Sequence, residues 1–172
     1  MNQDVVTTTD KKEVATALAA AVENTNLGSD MLVEDIQSFY WWKGDVQDEG
    51  EIRLSFKSTV DFAQVEKVIA GAHNYETPMI IQHVTGESPY WRGDIDACTA
   101  QVASDLAAKR LVACAQLTKA GERSGLLSVK TVTAAKPHIE KFLETQGMRV
   151  RWTPITGNKP YLDWVGEETK IP

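Results

Sequence analysis

Strand-like and helix-like periodicities alternate in a fixed order along this chain of 172 residues, and that order restricts the fold more than any single motif does. Val5 to Thr8 is a short β-branched run. Asp10 and Glu13 have the spacing of a capping box and open a helix whose Val14, Leu18, Ala21 and Val22 form one apolar stripe. Leu32 to Trp42 and Glu51 to Ser58 read as two strands joined by KGDVQDEG, whose glycines and acidic residues suit a hairpin turn. Phe62, Val65, Val68, Ile69 and Ala72 return to helical spacing, and Pro78 leads into MIIQHV, another strand. The order β-α-β-β-α-β is a split βαβ unit. It predicts an α+β fold: an antiparallel sheet with both helices on one face.

The pattern then begins again. Thr99 to Ala113 has helical spacing, Ala115 to Thr118 and Leu126 to Thr131 read as strands, and Pro137 sits in the first turn of a helix that Gly147 closes. TGESPYW at Thr85 nearly repeats as TGNKPYLDW at Thr156, and FKST at Phe56 corresponds to VKTV at Val129 at almost the same offset. The reading is an internal duplication of a unit of roughly 75 to 90 residues. It divides the chain into residues 1–92 and 93–172, with a linker near Arg92 to Ile95. So short a linker leaves two arrangements: one continuous antiparallel sheet, or two sheets packed face to face. Each TGxxPY segment is read as a turn that starts a short terminal helix.

SFYWWKG, residues 38–44, sets four aromatics in a row. In a strand Phe39 and Trp41 face one way while Tyr40 and Trp42 face the other. A hairpin longer than its own sheet needs cover on both faces, because an exposed aromatic ribbon is an aggregation-prone edge. One pair is expected over the helices and the other against a neighbouring chain, with Trp41 or Trp42 fully buried. The alternative is that the second half of the same chain supplies the cover.

A hydrophobic content of 42% with 24% charged residues is ordinary for a globular chain, and the net charge of -6 opposes nonspecific binding to nucleic acid or anionic membranes. No run reaches about 18 apolar residues, and MNQDVVTTTDKK lacks the apolar core of a signal peptide, so a cytoplasmic location is expected. In such a reducing compartment Cys98 and Cys114 are read as two buried thiols rather than a disulfide.

VVTTTD at Val5, IQSFYWWKGDVQDEGEIRLSFKST at Ile36 to Thr59 and AHNYETPMI at Ala72 to Ile80 together resemble the CutA family of divalent-cation tolerance proteins. In the second half, LVACAQL at Leu111 and PYLDWVGEET at Pro160 are similar to the LAACVN segment and the C-terminal signature of that family. The resemblance implies a ferredoxin-like fold, here as two tandem repeats, and a homo-oligomer, usually a trimer, whose long hairpins wrap neighbouring subunits. It also implies a link to copper and other divalent metals. Phe39, Tyr40, Trp41, Trp42, Tyr75, Pro78, Tyr161 and Trp164 then become structural or interface positions. The chain departs from the pattern in both halves. Gly28 and Ser29 stand where the family cysteine is expected, the second hairpin is cut to TKAGERSG, and ETQGMR from Glu144 replaces H-x-Y-x-x-P. Such complementary losses suggest two units specialised within one assembly.

Candidate chemistry is sparse. His73 with Glu76 is a possible start of a divalent-metal site, although a His in the last helical turn also answers the helix dipole and Pro78 simply stops the helix. Cys114 sits in an apolar ACAQL context that suits a buried thiol, yet a soft metal such as Cu(I) would select it. His83 reads as a sheet residue and His138 as solvent-facing. The acidic run Asp45, Asp48, Glu49 and Glu51 reads as a solubilising hairpin tip. No nucleophile triad, H-E-x-x-H or glycine-rich nucleotide motif is present, so a non-catalytic protein is expected, with no cofactor required and copper or another divalent metal as the candidate ligand. The alternative is a PII-like regulator that binds a small anionic ligand or a partner.

Overall fold

A computed structural model of the chain describes residues 3–118 and 124–172. Their elements run β1 (Gln3–Thr9), α1 (Lys12–Asn24), β2 (Ser29–Trp42), β3 (Asp45–Ser58), α2 (Phe62–Ala72), β4 (Ile80–His83) and β5 (Tyr90–Cys98). Then follow α3 (Ala100–Ala108), β6 (Cys114–Thr118), β7 (Gly125–Val132), a single 3-10 turn, α4 (Lys136–Thr145), β8 (Arg151–Gly157) and α5 (Lys159–Glu168). All neighbouring strands are antiparallel, and they close a ring in the order β1-β3-β2-β6-β7-β5-β8-β4, with β4 returning to β1.

This ring corrects the expected fold class. Instead of two ferredoxin-like sandwiches with open sheets and helices on one face, the chain forms one closed eight-stranded barrel. The sheet is continuous, as one of the two expected arrangements requires, but it has no free ends. The physical reason lies in two strands absent from the sequence reading. The supposed linker Arg92 to Ile95 is the middle of β5, and RWTPITG forms β8. Each half thus supplies a complete arc, β4-β1-β3-β2 and β6-β7-β5-β8, whose unpaired outer strands meet. One seam pairs Ile36 with Thr118 through Phe39 with Ala115; the other pairs Ile81 with Gly157 through His83 with Ile155. Joining edges satisfies backbone groups that an open arc would leave exposed.

Strand alternation sorts the side chains. Val5, Leu54, Phe56 and Ile80 face outward against Leu18 and Val22 of α1 and Val65 and Ile69 of α2. Ile95, Leu117, Leu127 and Val129 do the same against Val102 and Leu106 of α3 and Ile139 and Leu143 of α4. The helix α5 differs, because its Tyr161 and Val165 pack with Val6, Ile81 and Ile155 and close one mouth of the barrel. The lumen is polar: Arg53 of β3 and Lys130 of β7 are almost wholly buried. Arg53 Nη2 donates to Glu34 Oε1 at 3.0 Å and to Thr118 Oγ1 at 2.9 Å, so one guanidinium spans β3, β2 and β6 across a seam.

Several local expectations change. KGDVQDEG is not an eight-residue turn: Lys43 and Gly44, with φ of 50° and 83°, make a two-residue turn and β3 starts at Asp45. The acidic run is therefore strand rather than tip. No side chain caps α1, whose N-cap is Lys11, so the capping box is not formed. TGNKPY does open α5, but TGESPYW runs into β5. Most of the shortened hairpin TKAGERSG, residues 119–123, lies outside the described residues.

The aromatic run is covered by its own chain on one face. Phe39 is buried in the cluster of α3 and α4, and Trp41 lies half-buried with the Arg110 guanidinium 5.7 Å from its ring centre. Tyr40 points to the barrel mouth, while Trp42 is 49% exposed. Neither tryptophan is fully buried, because β6 reaches only as far as Phe39. Cys98 and Cys114 are both buried free thiols.

The β4–β8 seam depends on a missing side chain. A Cβ on Gly157 would stand 2.6 Å from the Ile80 carbonyl oxygen, whereas one on Gly71 of α2 would meet nothing within 4 Å. Gly157→Ala should therefore lower stability in urea denaturation by roughly 1–3 kcal/mol. Gly71→Ala should shift it by less than about 1 kcal/mol, upward. Equal small effects would mean that the seam yields at no cost.

Candidate functional site

The mouth closed by α5 holds a cavity of about 390 Å³. Its walls come from both halves of the chain. Thr8 and Asp10 enter from the end of β1, Ser38 and Tyr40 from β2, and Glu49 and Glu51 from β3. The loop before β4 adds Tyr75, Thr77 and Met79. Cys114 and Gln116 come from β6, and Tyr161 and Trp164 from α5. The β2–β3 register explains part of this grouping: Ser38 pairs with Glu49 and Tyr40 with Gln47, so the face that turns Ser38 and Tyr40 inward also turns Glu49 and Glu51 inward. The β2–β6 seam then brings Gln116 opposite Ser38.

The roof is fastened by Asn158, the N-cap of α5. Its Nδ2 donates to the Pro78 carbonyl at 2.8 Å and its Oδ1 accepts from the Ile80 N–H at 3.0 Å, so α5 is held to the start of β4. Below it the Tyr161 and Trp164 rings lie 5.7 Å apart.

The electrostatics are one-sided. Three carboxylates line the cavity, with no Lys, Arg or His among the lining residues. Glu51 Oε2 accepts a 2.8 Å bond from the Tyr75 hydroxyl, and burial raises the Glu51 carboxyl above its usual range despite that bond and one from Ser38. Burial, with Glu49 and Glu51 nearby, pushes Tyr40 up to about 12, and burial beside Glu51 raises Tyr75 still further. Cys114 Sγ lies 3.4 Å from the Tyr161 hydroxyl, and burial raises both groups, keeping the thiol protonated at neutral pH.

Of the sequence-derived metal candidates, Cys114 lines the cavity, whereas His73 and Glu76 do not. His73 is the C-cap of α2. Its Nε2 bonds the Thr8 carbonyl oxygen at 2.8 Å and its Nδ1 accepts from the Tyr75 N–H at 3.0 Å, so both ring nitrogens are engaged. Burial lowers its pKa. Glu76 is exposed in the following loop. His83 sits between Arg92 and Asp4 at the barrel wall, and His138 is half-buried on α4 rather than turned fully to solvent. Among the described residues no group of three or more His, Cys, Asp or Glu side chains converges as a metal site. The residues present do not build a closed coordination shell.

The sequence reading missed Asp10, Ser38 and Gln116 as cavity residues and took Glu49 and Glu51 for a solubilising hairpin tip. A signal for Ser38, Glu49 and Glu51 existed. A two-residue Lys43–Gly44 turn fixes the register of β2 on β3, and with it which acidic side chains share a face with Tyr40. Gln116 had no such signal, since its place depends on a seam between distant segments.

Gln116 also links the cavity to the lumen, because its Oε1 accepts from Lys130 Nζ at 2.8 Å; Ser128 Oγ is the other partner at 2.9 Å. Both partners are neutral. Burial, reinforced by Arg92 and Arg53, lowers the Lys130 pKa to about 7, against roughly 10.4 in an unfolded chain. Between these values the unfolded chain binds the proton and the folded one sheds it, so this group adds stability as pH rises from 7 and removes it as pH falls. The raised thiols of Cys98 and Cys114 oppose this only above about pH 8.5, where unfolded thiols ionise. Between pH 7 and 8.5 the unfolding free energy of the native chain should therefore climb by up to about 1.4 kcal/mol per pH unit. Lys130→Met should flatten that slope in urea titrations. An unchanged slope would mean that Lys130 is not the titrating group.

No curated protein sequence matches the chain. Solved structures similar to it include the periplasmic divalent cation tolerance protein CutA from Archaeoglobus fulgidus, at 25% identity and a TM-score of 0.46, covering 51% of this chain and 87% of that one. The divalent cation tolerance protein of Thermus thermophilus (27%, TM-score 0.46, 51% and 87%) and CutA1 of Oryza sativa (26%, TM-score 0.45, 51% and 83%) are similar over a like extent. The family model of the CutA1 divalent ion tolerance protein matches residues 4–92, just over half of the chain and the whole β1-to-β4 arc that supplies most of the cavity wall. The chain belongs to the CutA1 divalent ion tolerance family.

Proposed function

We propose that this protein is a non-catalytic, cation-associated member of its family that acts in divalent-ion tolerance. The observation that carries the reading is the cavity at the barrel mouth. Asp10, Glu49 and Glu51 line it with no basic side chain among the lining residues, and Cys114 adds a soft donor at its base. A cavity lined by one sign of charge with low-dielectric walls concentrates ions of the other sign. Because the ligands do not converge, the association is weak and electrostatic rather than a closed coordination site. The PII-like alternative finds less support here, since an anion needs Lys, Arg or free N–H groups and the lining side chains include no base.

In the same reading the cations include copper, the protein works in the cytoplasm, and it assembles as a homotrimer. Assembly is supported by apolar side chains left uncovered along the β2–β3 hairpin: Leu32 and Val33 are each 53% exposed, and Trp42 stands at the turn. Among the described residues no helix is long and apolar enough to cross a membrane.

Calorimetric titration of metal-stripped protein with Cu(II) and Zn(II) tests the cation reading. Saturable binding is expected, about tenfold weaker in Glu49→Gln/Glu51→Gln. No heat from either metal with the native chain would sink it. Light scattering tests the assembly: a trimer mass is expected, reduced by Leu32→Lys/Trp42→Lys, and a monomer mass for the unaltered chain would reject it.

A further inference from the structure

We propose that the cavity beneath α5 is a binding site for an organic ammonium ion, a positively charged nitrogen carried on a short apolar chain. The inference goes beyond divalent-ion tolerance and stands on the shape and lining of the cavity, whether or not metals enter it.

Size is the first argument. About 390 Å³ falls in the range of roughly 300–1,000 Å³ typical of small-molecule sites, far more than a bare metal ion fills. Wall chemistry is the second. Tyr40, Tyr75, Tyr161 and Trp164 give the cavity four aromatic residues, and Met79 adds an adaptable apolar one. Aromatic faces attract ammonium groups through the ring quadrupole, most strongly where water is displaced. An apolar chain on the nitrogen gains further by burial against the same rings, which a hydrated metal ion cannot do.

Charge supplies the third argument. The Glu51 carboxylate is held by two neutral hydroxyl donors, Tyr75 and Ser38, with Asp10 and Glu49 close enough to repel it. A desolvated carboxylate without a cation is costly, and no side chain in the lining offers one. A ligand ammonium would provide the absent charge, while Glu51 stays fixed by Tyr75 and the cavity remains built around it. Divalent metals find no converging ligands for a closed coordination shell among the described residues and can be held only weakly, and anions meet three carboxylates. An alkylammonium satisfies both the acidic and the aromatic parts of the lining.

Titration of the full chain with n-butylammonium, followed by calorimetry and by tryptophan fluorescence, tests the site. Saturable binding with a dissociation constant in the roughly millimolar range is expected, in keeping with so small a ligand. The neutral isostere 1-butanol should bind at least about tenfold more weakly, and Glu51→Gln, which retains an acceptor for Tyr75, should weaken n-butylammonium by a similar factor. Trp164→Leu and Glu49→Gln act on other walls and keep the test open if Glu51→Gln does not fold; each should weaken binding at least about threefold. Absence of saturation in the native chain, equal affinity for 1-butanol, or native affinity in all folded variants would overturn the proposal. Binding of Cu(II) or Zn(II) without n-butylammonium binding also overturns it and leaves the divalent-ion reading standing. Binding of n-butylammonium without either metal supports it and removes that reading.

Discussion

Two short backbone seams hold this molecule in its shape. Each half of the chain forms an arc of four antiparallel strands, and an arc has two unsatisfied edges. The β2–β6 and β4–β8 pairings remove all four at once by turning each half into the partner of the other. A buried guanidinium reinforces the first seam, where Arg53 ties Glu34 to Thr118, and a close approach defines the second, where Gly157 faces the Ile80 carbonyl. Everything that looks functional depends on this closure, because the cavity walls come from segments that only the seams bring together.

Closure also explains the unusual interior. An open sheet with helices on one face would have left the side chains opposite the helices to solvent or to a partner, where charge costs little. Rolled into a barrel, that face becomes a lumen, and Arg53, Lys130, Arg92, Asp94 and Glu34 are drawn from water. Arg53 and Arg92 find carboxylates; Lys130 finds only Gln116 and Ser128, and its proton affinity falls accordingly. Buried ionic groups of this kind are poor sources of stability, but they are intolerant of any other strand register. The apolar stability lies outside the barrel, where the helices of each half cover its outer wall.

At the cavity this interior opens. The helix α5 ends the barrel by setting Tyr161 and Val165 into its mouth, and Asn158 fixes the angle at which it enters. What remains beneath it is acidic, aromatic and free of basic side chains. That lining is what the proposed cation reading rests on, beside membership of the CutA1 family.

Most of the local elements were legible in the sequence because each rests on short-range periodicity. The apolar stripes of α1, α2 and α4, the β-branched runs of β1 and β4 and the TGNKPY start of α5 are written within a few residues. The residues that carry the family resemblance are legible for the same reason. The strands β5 and β8 were not legible. YWRGDIDAC alternates charges inward to a lumen that exists only after closure, and RWTPITG carries a proline that argues against a strand until its neighbours are known. Without those two strands the sequence implies open sheets. The cavity shared that fate: Glu49 and Glu51 read as a solvated hairpin tip, and only the two-residue turn at Lys43 and the seam to β6 turn them toward Tyr161 and Trp164. Sequence alone thus determined most of the helices and strands and the family to which the chain belongs. The tertiary structure decided which edges meet, and hence which side of each strand is inside, because edge pairing between residues some eighty positions apart leaves no local trace.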